Sequence, residues 1–155
     1  MANEIEARIK QLGIVLPGPA KPAANYVPSV TTQGKLLFVS GQVPMTPDGV
    51  KFVGKLGREF SIEEGQQAAR ICAINILGIL KAALGDLDRV RRIVKVVGFV
   101  NAVPDFVDAH KVVNGASDLL TEVLGERGKH ARSAIGMGTL PLGVAVEVEA
   151  IAEVD

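Results

Sequence analysis

Short apolar runs separated by turn residues dominate the first third of the chain, after an amphipathic N-terminal segment. Two such runs, at 26 to 32 and 35 to 43, are joined by a Gln-Gly pair that favours a tight turn. The Thr-Pro-Asp-Gly sequence at 46 to 49 is a second turn, because proline presets φ and glycine accepts a positive φ. A third run follows at 50 to 53. This region is predicted to be a meander of short strands.

Two later segments change to helical spacing, in which apolar residues recur every three or four positions. The first helix is predicted over residues 61 to 84, where a Ser-x-x-Glu capping box begins it and Gly85 ends it. The second is predicted over residues 105 to 124, with Asp105 as its N-cap. A β-branched run at 91 to 100 lies between them and predicts a largely buried strand.

The C-terminal stretch, residues 130 to 150, is predicted to be a β-hairpin that turns at a Pro-Leu pair and directs Ile135 toward the helices. The element order indicates an α+β domain with two helices on one face of a mixed sheet, plus an N-terminal helix. A length of 155 residues predicts one domain, with the helix and a Pro-rich connector over 1 to 21 and the core over 22 to 154. Because 48% of the residues are hydrophobic, we expect another subunit to bury the uncovered face.

Composition mainly excludes classes of function. Seventeen basic and 17 acidic residues give a formal net charge of zero, which argues against nucleic acid as a partner. The cluster of Arg89, Arg91 and Arg92 is expected to be a solvated strand edge. Cys72 is the single cysteine, expected to be buried, and two histidines give none of the usual metal-ligand spacings. Polar residues or glycine interrupt every apolar run, so no membrane span is expected and a cytoplasmic protein is predicted.

Arg132 and two nearby carboxylates are the candidate functional residues of the predicted hairpin. Alternation places Arg132, Glu147 and Glu149 on the uncovered face, with Ala134 and Gly136 leaving a hole beside the arginine. A guanidinium at such a hole can bind a planar carboxylate or phosphate through two parallel hydrogen bonds, and a nearby glutamate can hold or deprotonate a water. The alternative is an exposed cross-strand ion pair that stabilises by less than about 1 kcal/mol. Spacing alone leaves both interpretations open.

Several segments resemble signatures of the YjgF/YER057c/UK114 family, also called the RidA family. LLFVSGQVP at 36 to 44 is similar to an early strand of that family, and ARS at 131 to 133, LP at 140 to 141 and VEVEAIA at 146 to 152 are similar to its C-terminal signature. The similarity covers roughly residues 22 to 154. It implies a chorismate-mutase-like fold and a homotrimer with sites in the clefts between subunits, which would bury the uncovered face.

The resemblance also implies an activity. RidA-type members hydrolyse reactive 2-imino acids, such as 2-iminopropanoate and 2-iminobutanoate, to 2-oxo acids and ammonia. The family's carboxylate-binding arginine matches Arg132 and its water-associated glutamate matches Glu147, whereas Glu149 matches a structural position. The implied protein is a hydrolase without cofactor, metal or covalent intermediate, whose partner is a small carboxylate-bearing imine. Its acceleration would come from orientation and a favourable field.

Further positions match the family pattern less firmly. Ser40 matches a strand end near the family's site, although an ordinary strand-end serine is an equal alternative. Asn114 matches an asparagine that lines the cleft, and it shares a helical stripe with His110 and Ser117. For His110, a solvated helix flank is the alternative to a polar cleft wall.

Departures from the family pattern indicate a longer sibling subfamily with changed specificity. Tyr26 lies one residue from the position of the family's first aromatic, which leaves its place in the pocket open. Ala134 stands where cysteine is frequent and would widen the pocket, with Gly136 as another part of its floor.

Two other functions are weighed against hydrolysis. A trimeric binding or regulatory protein for small carboxylates needs only the arginine, so the presence of Glu147 weighs against it. An endoribonuclease of the L-PSP type follows the label of some family members. The neutral charge and the absence of a basic patch or paired histidines in the sequence weigh against RNA cleavage.

Overall fold

The computed structural model describes residues 3–18, 21 and 24–155. Its helices are α1 (Glu4–Gln11), α2 (Ile62–Leu84) and α3 (Ala109–Leu124). Its strands are β1 (Ser29–Thr31), β2 (Leu36–Gln42), β3 (Met45–Thr46), β4 (Gly49–Val50), β5 (Val90–Asn101), β6 (Ala131–Met137) and β7 (Val146–Val154). Three short 3₁₀ turns connect them, at Leu87–Arg89, Gly125–Gly128 and Pro141–Gly143.

The main sheet has five strands in the order β1-β2-β7-β5-β6, while β3 and β4 form a separate ribbon. Only β5 and β6 pair in parallel within the main sheet, so the sheet is mixed. Along β7, the residues at 146, 148, 150, 152 and 154 are buried and those between them are not, as expected for a strand with one covered face. Helix α2 packs on β2 and β7, and α3 packs on β5 and β6. The predicted fold class is confirmed.

The predicted C-terminal hairpin is wrong, because β6 and β7 are not neighbours. Strand β5 lies between them, parallel to β6 and antiparallel to β7. Parallel neighbours need a long crossover connection, and α3 supplies it between β5 and β6. The segment at 138 to 145 then carries the chain across β5, with Leu142 at φ 59° and Gly143 at φ 68° in its turn. A Pro-Leu pair is a weak hairpin signal, and here it forms a 3₁₀ turn.

This topology reverses two predicted orientations. Ile135 pairs with Phe99 on the open face and is 43% exposed, so it does not pack under the helices. Arg132 pairs with Val96, a fully buried residue of the helix-covered face. The prediction that Arg132 lies on the uncovered face with Glu147 is therefore also wrong.

The helix boundaries follow local capping chemistry. Helix α2 begins with the predicted capping box of Ser61 and Glu64 and ends at Gly85, which is left-handed. Helix α3 begins at Ala109, later than predicted, because the backbone N–H of Phe106 bonds to the carbonyl of Val103 in a proline-containing turn. Asp105 is therefore part of that turn and not an N-cap.

The N-terminal helix is held by a side chain far away in sequence. The carboxylate of Asp88 accepts hydrogen bonds from the backbone N–H groups of Glu4 and Ile5, at 3.0 and 3.4 Å. Both Ile5 and Ile9 are buried, as their spacing predicts. Residues 19, 20, 22 and 23 lie outside the described part of the chain, so the predicted boundary between connector and core stays a prediction.

Helix α2 has the length and apolar composition that a membrane-crossing helix would need, contrary to our expectation that polar residues interrupt every such run. Its apolar residues form the centre of the hydrophobic core, and more than half of its most apolar window is buried against the rest of the fold. This is the pattern of a core helix. Cys72 lies in this core as predicted, and burial raises the pKa of its thiol.

Candidate functional site

The predicted site residues fall into two groups in the chain. The arginine cluster consists of Arg132, Asn114, Ser117 and His130, on the helix-covered side of the sheet at its β6 edge. The glutamate cluster consists of Glu147, Glu149, Ser40 and Gly41, where β7 meets the irregular end of β2.

The arginine cluster holds the Arg132 guanidinium against α3. One terminal nitrogen, Nη1, donates to Asn114 Oδ1 at 2.8 Å and to Ser117 Oγ at 3.1 Å. The other, Nη2, donates to the backbone carbonyl of His110 at 3.0 Å. A guanidinium has five N–H donors, so two remain available for a ligand. His110 contributes its backbone and not its side chain, whereas Asn114 accepts a hydrogen bond from Arg132 through its side chain.

His130 extends this cluster through the Ser117 hydroxyl. Its Nδ1 lies 2.6 Å from the carbonyl oxygen of Gly128, which can only accept, so Nδ1 carries the proton. Its Nε2 lies 2.9 Å from Ser117 Oγ and accepts the hydroxyl proton when the ring is neutral. Burial lowers the pKa of His130, and the charge of Arg132 lowers it further. A neutral ring orients the serine so that its oxygen lone pairs face Arg132.

The two small residues after Arg132 have different surroundings. Ala134 is partly buried and packs against the hydrophobic core. Gly136 borders open space, because a side-chain carbon added there would meet no atom within 4 Å. Open space on this strand therefore lies beside Gly136.

The glutamate cluster depends on an irregularity in β2. The β2–β7 register shifts between Val39 and Gln42, which marks a bulge at Ser40 and Gly41. A Cβ atom on residue 41 would lie 2.1 Å from Oε1 of Glu147. The carboxylate therefore lies directly against the glycine backbone, and any larger residue would displace it. The sequence interpretation missed Gly41, although a glycine inside a strand is a signal of close approach.

The carboxylate of Glu147 lies in an environment that disfavours its negative charge. It is half-buried, and no hydrogen-bond donor or cation among residues 3–18, 21 and 24–155 pairs with its carboxylate. Burial raises the pKa of Glu147, and the negative charge of nearby Glu149 raises it further. A carboxylate whose pKa is raised is a stronger base than an ordinary glutamate and is suited to accept a proton from a bound water.

Two further predicted residues lie near the glutamate cluster. The Ser40 hydroxyl donates to the carbonyl of Val27 at 2.7 Å, and the Ser40 N–H bonds to the carbonyl of Pro28 at 2.9 Å. These bonds hold the segment that carries Tyr26 beside the bulge, and the Tyr26 side chain is 56% exposed. Ser40 therefore anchors this segment, and its oxygen keeps only acceptor capacity.

The two clusters do not meet within one chain. Arg132 bonds to α3 on the covered side of β6, whereas Glu147 pairs with Phe99 on the open side of β7, with β5 between the two strands. The cross-strand ion pair that spacing left open is therefore excluded. A site that uses both residues requires surfaces from two chains.

The open face of the sheet carries exposed apolar side chains around the two glutamates. Val30 is 54% exposed, Phe38 is 42% exposed, and Ile135 lies on the same face. A depression of about 360 Å³ lies on this face, with Lys95 and Glu149 among its lining residues. A monomer that leaves such a face to solvent would be unusual. Within the described residues, no three His, Cys, Asp or Glu side chains are grouped as a metal site requires.

Comparisons with known proteins agree with this fold. The family model described as "YjgF/chorismate_mutase-like, putative endoribonuclease" matches residues 6–154. Protein TCP17 of Trypanosoma cruzi is 48% identical over 155 aligned residues, which cover 99% of this chain and 96% of the relative. A solved structure of a protein of unknown function from Agrobacterium tumefaciens is 50% identical, covers 97% of this chain and 94% of its own, and superposes with a TM-score of 0.90.

A more distant solved structure includes a small ligand. E. coli TdcF with bound serine is 26% identical, with 90% of this chain and 94% of that chain covered and a TM-score of 0.61.

Proposed function

Because the chain belongs to the YjgF/chorismate-mutase-like family, also called the RidA family, we propose that it hydrolyses small 2-imino acids to 2-oxo acids and ammonia. The proposed substrates are of the 2-iminopropanoate and 2-iminobutanoate type. The proposed sites lie in clefts between the subunits of a homotrimer, where the arginine cluster of one subunit meets the glutamate cluster of the next.

One observation carries this proposal. Arg132 retains two N–H donors, and Glu147 has no partner within the described part of its own chain. Each cluster lacks a group that the other provides. The arginine cluster can bind an anion, and the glutamate cluster can bind a water. Apposing two chains supplies both groups to one substrate.

The proposed reaction uses these two groups directly. The free N–H donors of Arg132 bind the substrate carboxylate and fix the position of the adjacent C=N carbon. A water held by Glu147 adds through its oxygen to that carbon, and its proton passes by way of the carboxylate to the nitrogen. The carboxylate of Glu147 then takes the hydroxyl proton of the resulting carbinolamine and delivers it to the amino nitrogen, so that the C–N bond breaks, the C=O bond forms and ammonia leaves. Glu147 ends each cycle in the protonation state in which it began.

The serine bound to E. coli TdcF supports the size and chemistry of the ligand. Serine carries a carboxylate next to the carbon that bears nitrogen, as a 2-imino acid does. A binding protein without turnover would also accept such a ligand. The unpaired, half-buried Glu147 with its raised pKa favours turnover, because binding an anion gains nothing from a second negative charge.

The proposed homotrimer is supported by the exposed apolar face that surrounds the glutamate cluster. Its measurement is the mass in solution by light scattering, expected at about three times the chain mass of 16.3 kDa. A monomeric mass at micromolar concentration would remove the proposed site, since the two clusters would then stay apart.

The activity is tested by a coupled assay. A pyridoxal-phosphate-dependent threonine dehydratase generates 2-iminobutanoate, and the purified protein should speed the release of 2-oxobutanoate. The imine also hydrolyses without catalysis, so the dehydratase alone sets the baseline. A panel of amino acid precursors then ranks the substrates. If the wild-type protein leaves the rate of 2-oxo acid release unchanged for every precursor, the proposed deaminase activity is wrong.

Matched variants separate the site from general damage. Arg132→Ala and Glu147→Gln should each reduce the rate by at least about 100-fold, equivalent to about 2.7 kcal/mol of transition-state stabilisation. Arg92→Ala removes an exposed arginine that pairs with Glu153, and Glu149→Gln changes a carboxylate two positions away on the same face. Both controls should retain activity.

The endoribonuclease alternative receives less support from the surface. The exposed arginines Arg91 and Arg92 pair with Asp155 and Glu153, at 2.7 and 3.5 Å. Their charge is therefore offset at the strand edge and is poorly suited to bind a phosphate backbone. RNA cleavage that persists in Arg132→Ala and declines on further purification would indicate a contaminating nuclease.

A further inference from the structure

An apolar pocket outside both clusters lies between the segment at 15–18, helix α2 and the β3–β4 ribbon. Its volume is about 570 Å³, within the range of small-molecule sites. Ile74 and three further residues of α2 line one side, and residues 45–47 line another. None of the described residues that line it is charged. Two amide side chains, of Asn75 and Gln42, are among its polar groups.

Asn75 presents an unpaired acceptor to this pocket. Its side chain is only 8% exposed, and Nδ2 donates to the carbonyls of Val43 and Met45 at 3.0 and 3.1 Å. Both amide protons are therefore used, which fixes the orientation of the group. No donor in the described part of the chain bonds to Oδ1, and that oxygen is not sealed from solvent. The oxygen is thus free to accept a hydrogen bond from a ligand.

The side chains of Gln42 and Thr46, like that of Asn75, present acceptor oxygens to the pocket. Gln42 Nε2 donates to the carbonyls of Ser40 and Gly41 at 2.9 and 3.1 Å, and Thr46 Oγ1 donates to the carbonyl of Gly49 at 3.0 Å. The side-chain donors in the lining are therefore engaged with backbone, and acceptor oxygens remain. A pocket of this kind selects against carboxylates and phosphates, because it offers neither charge nor a free side-chain donor.

The wall formed by residues 15–18 is closely packed against α2. A Cβ atom on Gly78 would lie 2.9 Å from both Cγ and the carbonyl oxygen of Pro17. The glycine allows this approach, so the segment is held on the helix surface and one side of the pocket is fixed.

We propose that this pocket binds an uncharged, mostly apolar small molecule that donates a hydrogen bond to Asn75 Oδ1. An aromatic N–H or O–H group on a fused ring system meets this requirement, because its ring fills apolar space and its donor pairs with the buried oxygen. The site is separate from Arg132 and Glu147, so its occupancy does not depend on the proposed hydrolysis.

The test compares two probes of nearly equal shape. Indole has an N–H donor, and benzofuran replaces it with an oxygen that can only accept. In ¹H–¹⁵N NMR titrations of the full chain, indole should shift the amide signals of Ile74, Asn75 and Met45 and bind at least tenfold more tightly than benzofuran. Equal affinities would overturn the donor requirement, and no shifts at these residues with millimolar indole would overturn the site.

A matched pair of substitutions on α2 locates the binding. Ile74→Phe fills the pocket, whereas Ile62→Phe places the same side chain at a partly buried position of the same helix that does not line it. Indole binding should fall at least tenfold in the first variant and stay unchanged in the second, with amide dispersion reporting the fold of both. Unchanged binding to a folded Ile74→Phe protein would contradict the assignment. If Ile74→Phe does not fold, the comparison of indole with benzofuran on the wild-type protein still tests whether the pocket binds a hydrogen-bond donor.

Discussion

The arginine cluster and the glutamate cluster differ in how far a single chain completes them. Arg132 has three hydrogen bonds to α3, and the supporting Ser117 is itself bonded to His130. Glu147 is half-buried, lies near the negative charge of Glu149 and has no partner in the described part of the chain. A single chain therefore holds the Arg132 side chain in place, whereas it provides no described partner for the Glu147 carboxylate.

The difference follows from where each group lies in the sheet. Strand β6 is an edge strand beside a helix, so an arginine on its covered side can reach polar groups of α3. Strand β7 is internal, and the helices lie on its opposite face, so Glu147 finds no donor there. A half-buried carboxylate without donors is unfavourable by itself. Its presence is more informative about function than the well-bonded arginine.

The largest effect is expected from a substitution that prevents another subunit from covering the open face of the sheet. Ile135→Asp places a charge among the exposed apolar side chains of that face, and burying it unpaired would be costly. We expect a monomer by light scattering and a loss of imine hydrolysis of at least about 100-fold. Val107→Asp is the control, since that residue is 81% exposed and outside the strands. A fully active, trimeric Ile135→Asp protein would refute an interface on this face.

A smaller effect is expected when the glutamate alone is displaced. In Gly41→Ala the new methyl group would overlap Glu147 Oε1, and the flexible carboxylate would move before the backbone does. Misplacement by about 1 Å can reduce a rate by about 100-fold, so we expect kcat to fall by that factor with little change in the melting temperature. Gly138→Ala is the matched control, because a side chain there meets no atom within 4 Å. An unaltered kcat in Gly41→Ala would mean that the position of Glu147 is unimportant.

The arginine cluster should tolerate the loss of one supporting bond. Ser117→Ala removes the hydroxyl between Arg132 and His130, and one hydrogen bond to a charged group contributes about 1.5 kcal/mol. We expect KM to rise about tenfold with a smaller change in kcat, because Arg132 provides substrate binding. Thr121→Val removes only a bond to the backbone of residue 117 and should keep KM unchanged. Equal effects of both substitutions would indicate general loosening of α3.

The smallest expected change is a shift in pH dependence. Glu147 acts as a base when ionised, so activity should fall as the pH drops through its raised pKa. Glu149→Gln removes the second cause of that raised pKa, so the pKa of Glu147 should fall toward its ordinary value. The acidic limb of the kcat/KM profile should move to lower pH by a few tenths of a unit, roughly the size of one partly screened charge. A shift to higher pH would contradict the assignment of that limb to Glu147.

Local chemistry made the helices and the alternation of β7 predictable. The capping box at Ser61 and the stop at Gly85 are complete within a few residues, and the structure confirms both. The hairpin failed because strand pairing is non-local. No residue between Met137 and Val146 indicates that β5 lies between β6 and β7. The start of α3 failed for a local reason, since the turn at 103–106 outweighed the capping preference of Asp105.

The same limit applies to the candidate site. Residue type and the family resemblance were enough to select Arg132, Glu147 and Asn114, and the direct bond between Arg132 and Asn114 agrees with that selection. The faces of the sheet on which Arg132 and Glu147 lie were not predictable, because they depend on which strand pairs with β6. Gly41 and His130 were missed since their roles arise from a close approach and from a shared hydroxyl, both of which require three-dimensional positions.

The central place of β7 has a consequence for the folding of the protein. This strand follows β2 by more than a hundred residues in the chain, yet it joins β2 to β5. Without it, the main sheet consists of two separate strand pairs, β1–β2 and β5–β6, and the apolar faces of the helices lack a complete partner. Folding should therefore depend on long-range contacts. A chain that lacks β7 would expose apolar surfaces that chaperones and proteases recognise.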